Sequence, residues 1–348
     1  MTLDPRAAHT GAQRGVRAGG GRPLRSVIGL SIGILLLTGL IGTVGFDPVR
    51  SALSHGGWGL FSLIVLYPLE LYPRALAWRW VYPGTCTARP GHFIEAMWIG
   101  QSLNRLIPTA GIGGDIARGR LLVLRGEPTD AVIASLVADK AAQAMSTWLL
   151  MMLGLLLVMG SAGDPALALT LAVAALLLLI AIALFLRLQH GAGVSKMLAR
   201  WSGGTGGRLA RLTPSVRAIE GLLATIYARR GRLVASTSVR TAGVVAMAAE
   251  LWLAAWLLDI PLSPLDAITL RVVGFAVRSL AFMVWGGIGV QEGAFLLLSS
   301  VTGVAPAGLL ALSLATRFRE LLVALPAMAL WLRAEHRFQP SGRPGREG

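Results

Sequence analysis

Cysteine is nearly absent from this chain. Its single thiol, Cys86, has no internal partner, so no disulfide framework holds the fold and no Cys-x-x-Cys metal or redox motif exists. Charge is scarce as well: 14% of residues are Asp, Glu, Lys or Arg, against roughly 25% in an average soluble protein. Acidic side chains are the scarcest, 17 against 32 bases, which leaves a net charge of +15. The five histidines are scattered and form no His-Glu-x-x-His pair. A Gly-x-Ser-x-Gly elbow and a Walker loop are also missing. The expectation is therefore no catalytic residue, no cofactor and no metal. An ATP-driven pump would need a partner subunit to supply its ATPase.

What fills the 348 residues is apolar side chain, 54% of the total. The mean hydropathy is +0.66. That excludes a disordered chain and opposes a soluble globular one. The bases sit between long apolar runs rather than on a polar domain. The expected partner is the anionic face of a membrane, not nucleic acid.

A membrane span needs about 20 apolar residues. Six are expected, at 27–45, 58–81, 141–160 (its helix starting near Asp130), 166–186, 241–258 and 305–332, the last kinked at Pro326. The first is longer than the roughly 7–15 residues of a signal-peptide core and reads as an uncleaved span. Two stretches are too interrupted to cross. Residues 92–125 break at Pro108-Thr-Ala-Gly-Ile-Gly-Gly114 and restart at Asp115; residues 265–303 break at Gly286-Gly-Ile-Gly289 and restart near Gln291-Glu292. Both read as re-entrant helical hairpins, tolerated where buried in protein or lining a cavity. The fold class is an all-α polytopic membrane protein: about six transmembrane helices plus two re-entrant hairpins.

Lys and Arg placement puts both termini and the basic loop 187–240 on the cytoplasmic side. On that parity the two hairpins enter from opposite faces. Gly111-Ile112-Gly113 also recurs as Gly287-Ile288-Gly289, 176 residues on. Together these point to an inverted repeat, the architecture of many transporters. The expected organisation is a disordered basic tail at 1–25, one transmembrane domain at 26–335 and a disordered tail at 336–348. Repeat one covers about 58–160 and repeat two about 238–334. Within the loop, 191–233 reads as a helix on anionic lipid.

A charge at the bilayer centre costs about 2.5–3.5 kcal/mol on insertion scales, so the charged residues inside the spans mark a polar interior. Asp115 reads either as a half-helix N-terminus facing a ligand or as an ordinary N-cap. Asn104 and Arg105 precede the first break, and Arg118 follows it. Arg105 or Arg118 can hold a phosphate or carboxylate bidentately, whereas Arg120 and Arg125 read as snorkelling bases. In the second hairpin Gln291 and Glu292 occupy the corresponding place. Glu292 reads as a proton site, a headgroup ligand or a structural acceptor. Arg271 and Arg278 are both candidate partners for it, and the sequence does not choose between them. Asp139 and Lys140 are adjacent, point about 100° apart on a helix and need separate partners. Arg317 with Glu320, and Glu70 with Arg74, have the spacing of self-neutralising helix pairs. Glu250 is either protonated or paired across helices.

The runs Ser102-Leu-Asn104-Arg-Leu-Ile-Pro108, Gly113-Gly-Asp115 and Arg118 resemble the flippase-like membrane family typified by the transmembrane region of lysylphosphatidylglycerol synthase. So do Gly287-Ile-Gly-Val-Gln-Glu292-Gly and Ala311-Leu-Ser-Leu-Ala-Thr-Arg317. The ending Arg317-Phe-Arg319-Glu320-Leu-Leu, with Leu325-Pro326 to Trp331, resembles the hopanoid-biosynthesis-associated branch. The similarity spans roughly 25–335. It implies a bacterial inner-membrane protein that moves lipids, hopanoid or anionic, between leaflets or supports that step. Membrane lipids and hopanoid or lipid biosynthesis enzymes are its implied partners. The family's acidic–arginine pair in the third span is Asp139-Lys140 here, and lysine cannot supply a bidentate clamp. Lipid aminoacylation is not expected from this polypeptide. Residues at the two breaks and on the facing spans are the expected lipid contacts: Asn104, Arg105, Pro108, Gly113, Gly114, Asp115, Arg118, Asp139, Lys140, Arg278, Gly289, Gln291, Glu292, Arg317 and Glu320. The competing readings are a membrane enzyme using the same carboxylates, and a scaffold that docks soluble enzymes on the basic loop.

Overall fold

The computed structural model describes residues 56–106, 112–160, 165–189, 213–280 and 289–338, with Asp47, Arg50 and Ser54. Among these residues every element is helical. A 3₁₀ segment, Gly57–Leu66, leads into α1, Pro68–Trp80. Pro68 suits the first helical turn, where its fixed φ helps and its missing N–H costs nothing. Then come α2 (Pro90–Leu106), α3 (Ile112–Leu124), α4 (Thr129–Gly160), α5 (Pro165–Gln189) and α6 (Thr213–Ala228). The chain continues with α7 (Arg230–Ala246), α8 (Ala248–Leu257), α9 (Pro264–Leu280), α10 (Val290–Leu297), the short α11 (Ser299–Thr302) and α12 (Pro306–Phe338).

Four described stretches are long and apolar enough to cross a membrane: Gly57–Trp80, Thr129–Gly160, Ala168–Gln189 and Arg230–Leu257. The expected span at 27–45 and the tail at 1–25 lie outside the described residues, as do 190–212 and 339–348. Helix α12 occupies the place of the expected sixth span. Its 33 residues reach about 50 Å at 1.5 Å per residue. Residues 230–240, at the end of the expected basic loop, lie in α7, and Arg240 is buried there. Counting bases along a sequence does not separate a loop arginine from one at the end of a helix.

The first break is a hairpin of α2 packed on α3. The arms touch at two glycines. A Cβ on Gly114 would stand 1.9 Å from the Gly100 carbonyl oxygen, so only glycine permits this approach. Asn104 then accepts the Gly114 N–H at 2.8 Å, so the first arm satisfies a free donor in the first turn of the second. The second arm starts at Ile112, before the expected Asp115, which sits inside its first turn. In the second hairpin α9 packs on α10, with Gly274 against the Phe295 ring. Residues 107–111 and 281–288, which include the Pro108 and Gly286–Ile288 positions, lie outside the described residues.

The order of elements repeats. Moved by 176 residues, Gly57–Trp80, α2–α3 and α4 fall on Arg230–Leu257, α9–α10 and α12, with ends agreeing to within three residues. Packing is exchanged between the halves: α2 lies against α12, α9 against α4, and α1 against α7. Two apolar cores result. One surrounds Trp78, Phe93, Leu121 and Leu122, the other Leu251, Leu270, Phe295 and Leu309. The apolar face of α6 joins the first core through Leu223 and Ile226.

Candidate functional site

Two ion networks lie between these cores. The larger joins α1, α2, α8, α9, α10 and α12. Glu70 takes Arg105 at 2.5 Å, Arg319 at 3.0 Å and Arg74 at 3.3 Å. Arg319 continues to Glu250 at 2.7 Å, and Glu250 to Arg271 at 2.5 Å. Glu320 takes Arg278 at 2.8 Å, Arg317 at 3.5 Å and Arg105 at 3.7 Å. Arg317 closes the chain on Glu292 at 3.3 Å. The network thus holds six arginines and four glutamates, and Glu250 and Arg319 in it are sealed from the surface.

The smaller network joins α3, α4 and α7. Arg118 binds Asp115 and Asp139, both at 2.8 Å, Arg240 also binds Asp139, and Lys140 binds Asp115 at 2.6 Å. The Arg118 guanidinium lies 4.6 Å from the Trp78 ring centroid, which supports a cation over an aromatic face. Lys140 is 41% exposed, so this cluster reaches the protein surface at one point.

Isolated charges at this depth are too costly to keep, and pairing offsets most of that cost. Pairing is incomplete in a defined way, however. Among the described residues each network has more cations than anions, six to four in the larger and three to two in the smaller. Beside the larger one, Arg105 Nη1, Tyr67 Oη and both polar atoms of Gln101 are buried with no hydrogen-bond partner among the described residues. Gln101 and Arg105 share one face of α2, four residues apart. Arg319 lies 5.5 Å from the Tyr67 ring and is bridged to Arg105 by Glu70. An unpaired buried polar atom costs about 1–3 kcal/mol, so these atoms call for a partner that the described residues do not supply.

The structure brings Arg105, Arg278, Gln291, Glu292, Arg317 and Glu320 together, with Gln291 accepting from Arg278 and donating to Ser313. It gathers Asp115, Arg118, Asp139 and Lys140 separately, with Gly114 and Asn104 at the hairpin contact. Gly113 lies in the first turn of α3. Neither Arg271 nor Arg278 is bonded to Glu292. That carboxylate accepts from Ser313 and Arg317 and, through Oε2, from the Gly289 N–H at 2.8 Å. Gly289 adopts φ +79°, a conformation that suits glycine. Arg125, expected to snorkel, is bonded to Glu95 at 2.5 Å.

Sequence reading missed the joining role of Glu70, Arg240 and Arg319, and missed Gln101 and Tyr67 altogether; for Glu250 the cross-helix pairing it offered as one alternative is the one found. Its one available signal was a charge inside an apolar run, and spacing along a single helix hid the partners. Outside the spans, Glu127 ties the α1–α2 connection to the α3–α4 turn. It accepts from Tyr82 Oη at 2.5 Å, the Ala88 N–H at 2.6 Å and Thr87 Oγ1 at 2.8 Å. Burial pushes this carboxyl up, but those donors outweigh it and hold the pKa below the usual range. Among the described residues, no group of His, Cys, Asp and Glu side chains is placed to hold a metal ion.

A family model described as the lysylphosphatidylglycerol synthase TM region matches residues 26–327. No curated protein and no solved structure matches the chain.

Proposed function

The chain belongs to the lysylphosphatidylglycerol synthase transmembrane-region family, and from that premise we propose that it translocates phospholipid headgroups across the bacterial inner membrane, preferring anionic ones. It is a multi-pass membrane protein of a family tied to lipid-related processes. The proposal adds the activity and the charge preference. One observation carries it: beside an arginine-rich buried network, atoms of Gln101, Arg105 and Tyr67 are buried with no hydrogen-bond partner among the described residues. A phosphodiester supplies what that place lacks, a negative charge and acceptor oxygens. The acyl chains would stay in hydrocarbon while the headgroup passes between the hairpins.

The rest of the proposal is architectural. The two halves, equivalent at a shift of 176 residues, are inverted in the membrane, with both termini cytoplasmic. That orientation draws on the placement of Lys and Arg. A hopanoid-related cargo is a narrower version, supported by the run from Arg317 to Trp331 alone.

Gln101→Leu tests the reading. It removes two buried atoms that no group among the described residues uses, so thermal unfolding should not fall below the native temperature and should rise if the site is empty of partners. Exchange of labelled anionic phospholipid between leaflets of reconstituted vesicles should fall about tenfold, the worth of one hydrogen bond near 1.4 kcal/mol. Unchanged exchange would remove Gln101 and its surroundings from the path.

A further inference from the structure

A second anion-selective feature lies away from both networks, at the ends of two spans. A cavity of about 450 Å³ opens between Trp80, which ends α1, and Gly231, Arg232 and Ala235 at the start of α7. Arg79 and Tyr82 line it too. A smaller recess shares Trp80, Tyr82 and Arg232 and adds Arg229. The volume falls in the roughly 300–1,000 Å³ range of small-ligand sites.

The charge here differs from that of the deep networks. There, every base named above meets a carboxylate. Here, Arg79, Arg229 and Arg232 make no ion pair among the described residues, and no carboxylate lines either opening. Glu127 accepts from Tyr82 and Cys86, which line the cavity, and from Thr87 and Ala88. Next to the lining residue Ala235, Ser236 Oγ donates to the Ala77 carbonyl at 2.9 Å, and Ser236 and Ala77 are buried. Arg240 lies eight residues beyond Arg232, about 12 Å along the helix, and already belongs to Asp139. The cavity therefore ends before the smaller network and is a site of its own.

Its surroundings indicate the source of the anion. Leu76 and Tyr72, one and two turns before Trp80 on the same face of α1, are exposed. They form an apolar track that runs from the cavity along the span. Trp80 itself stands where tryptophan anchors spans, at the boundary between hydrocarbon and headgroups.

We propose that this cavity holds the phosphate of an anionic phospholipid from the surrounding leaflet, with Arg79 and Arg232 on the headgroup, Arg229 in the adjoining recess, and the acyl chains along Leu76 and Tyr72. Guanidinium forks match phosphate oxygens in geometry and charge. The site does not rest on the translocation reading, because a protein that moves no lipid can still hold one here.

Cys86, the only cysteine in the chain, lines the cavity and reports on it. The experiment measures maleimide labelling of the full chain in nanodiscs of phosphatidylcholine, with and without phosphatidylglycerol, at mildly alkaline pH. Occupancy should slow labelling about threefold or more. Arg79→Gln with Arg232→Gln should remove the protection. Arg89→Gln with Arg230→Gln takes two bases from the same face but leaves the cavity intact, and should keep it. Soluble glycerol phosphate added to phosphatidylcholine nanodiscs should give none. Equal labelling with and without phosphatidylglycerol in the native protein overturns the proposal. So does protection that survives in the Arg79/Arg232 variant, or that is lost in the Arg89/Arg230 variant. Equal protection by glycerol phosphate overturns the lipid source.

Discussion

Arg319 on α12 and Glu250 on α8 hold each other through two hydrogen bonds, Nε to Oε1 at 2.7 Å and Nη2 to Oε2 at 3.1 Å. The third nitrogen of the same guanidinium reaches Glu70 on α1 at 3.0 Å. One side chain thus ties the first span of each half to the last helix of the fold. Only a planar fork with several fixed donors makes both contacts at once.

Arg319→Ala leaves two buried carboxylates short of a partner. We expect a loss of about 3–5 kcal/mol in stability, as for other broken buried pairs, read from thermal or denaturant unfolding in detergent. Arg319→Lys keeps the charge but not the fork, and should recover only part of the loss.

Gly114→Ala places a Cβ 1.9 Å from the Gly100 carbonyl oxygen, a contact that forces the hairpin arms apart. Gly293→Ala meets nothing within 4 Å and should be neutral or gain up to about 1 kcal/mol from helix propensity. Expression level and unfolding temperature of the two variants should separate clearly.

Glu127 gives a pH dependence. Its pKa is lower in the folded protein than in the unfolded chain, so its bonds stabilise the fold above about pH 4.3, the ordinary glutamate value, and that contribution is lost as pH falls through the folded value. The hydrogen-exchange protection of residues 81–89, taken relative to the intrinsic rate at each pH, should fall on acidification in the native protein. In Glu127→Gln it should be low already at neutral pH and respond little to acid.

Cys86 lies beside the same carboxylate, and burial raises its thiol to about 11. At neutral pH almost none of it is thiolate. Alkylation should be slow and rise about tenfold per pH unit through the alkaline range, since the thiolate is the nucleophile. A rate that levels off near pH 8.5, the ordinary thiol value, would contradict this environment.

Much of the scaffold was legible from single residues. The uninterrupted apolar run at 166–186 is α5, Pro165–Gln189. Helices end at Leu106 and Leu280 and start again at Ile112 and Val290, on either side of the two expected breaks. The site was less legible. Glu70 and Arg74 fit a local four-residue pair, and they do touch. The partner that gives Glu70 its role, Arg319, stands 249 residues away. Spacing along a helix reports contacts within that helix, whereas these arginines meet their carboxylates where separate helices cross. Asp139 and Lys140 went the other way: their 100° separation correctly required different partners, which are Arg118 and Arg240 for one and Asp115 for the other.

The central claim is that the arginine-rich buried network carries an anionic headgroup through the membrane. The most direct measurement is leaflet exchange of two tail-labelled lipids, phosphatidylglycerol and phosphatidylcholine, in vesicles containing the native protein. The account predicts that phosphatidylglycerol exchanges faster by about tenfold, which corresponds to roughly 1.4 kcal/mol in the barrier. Equal exchange of the two lipids, or exchange of neither by a folded protein, would contradict it.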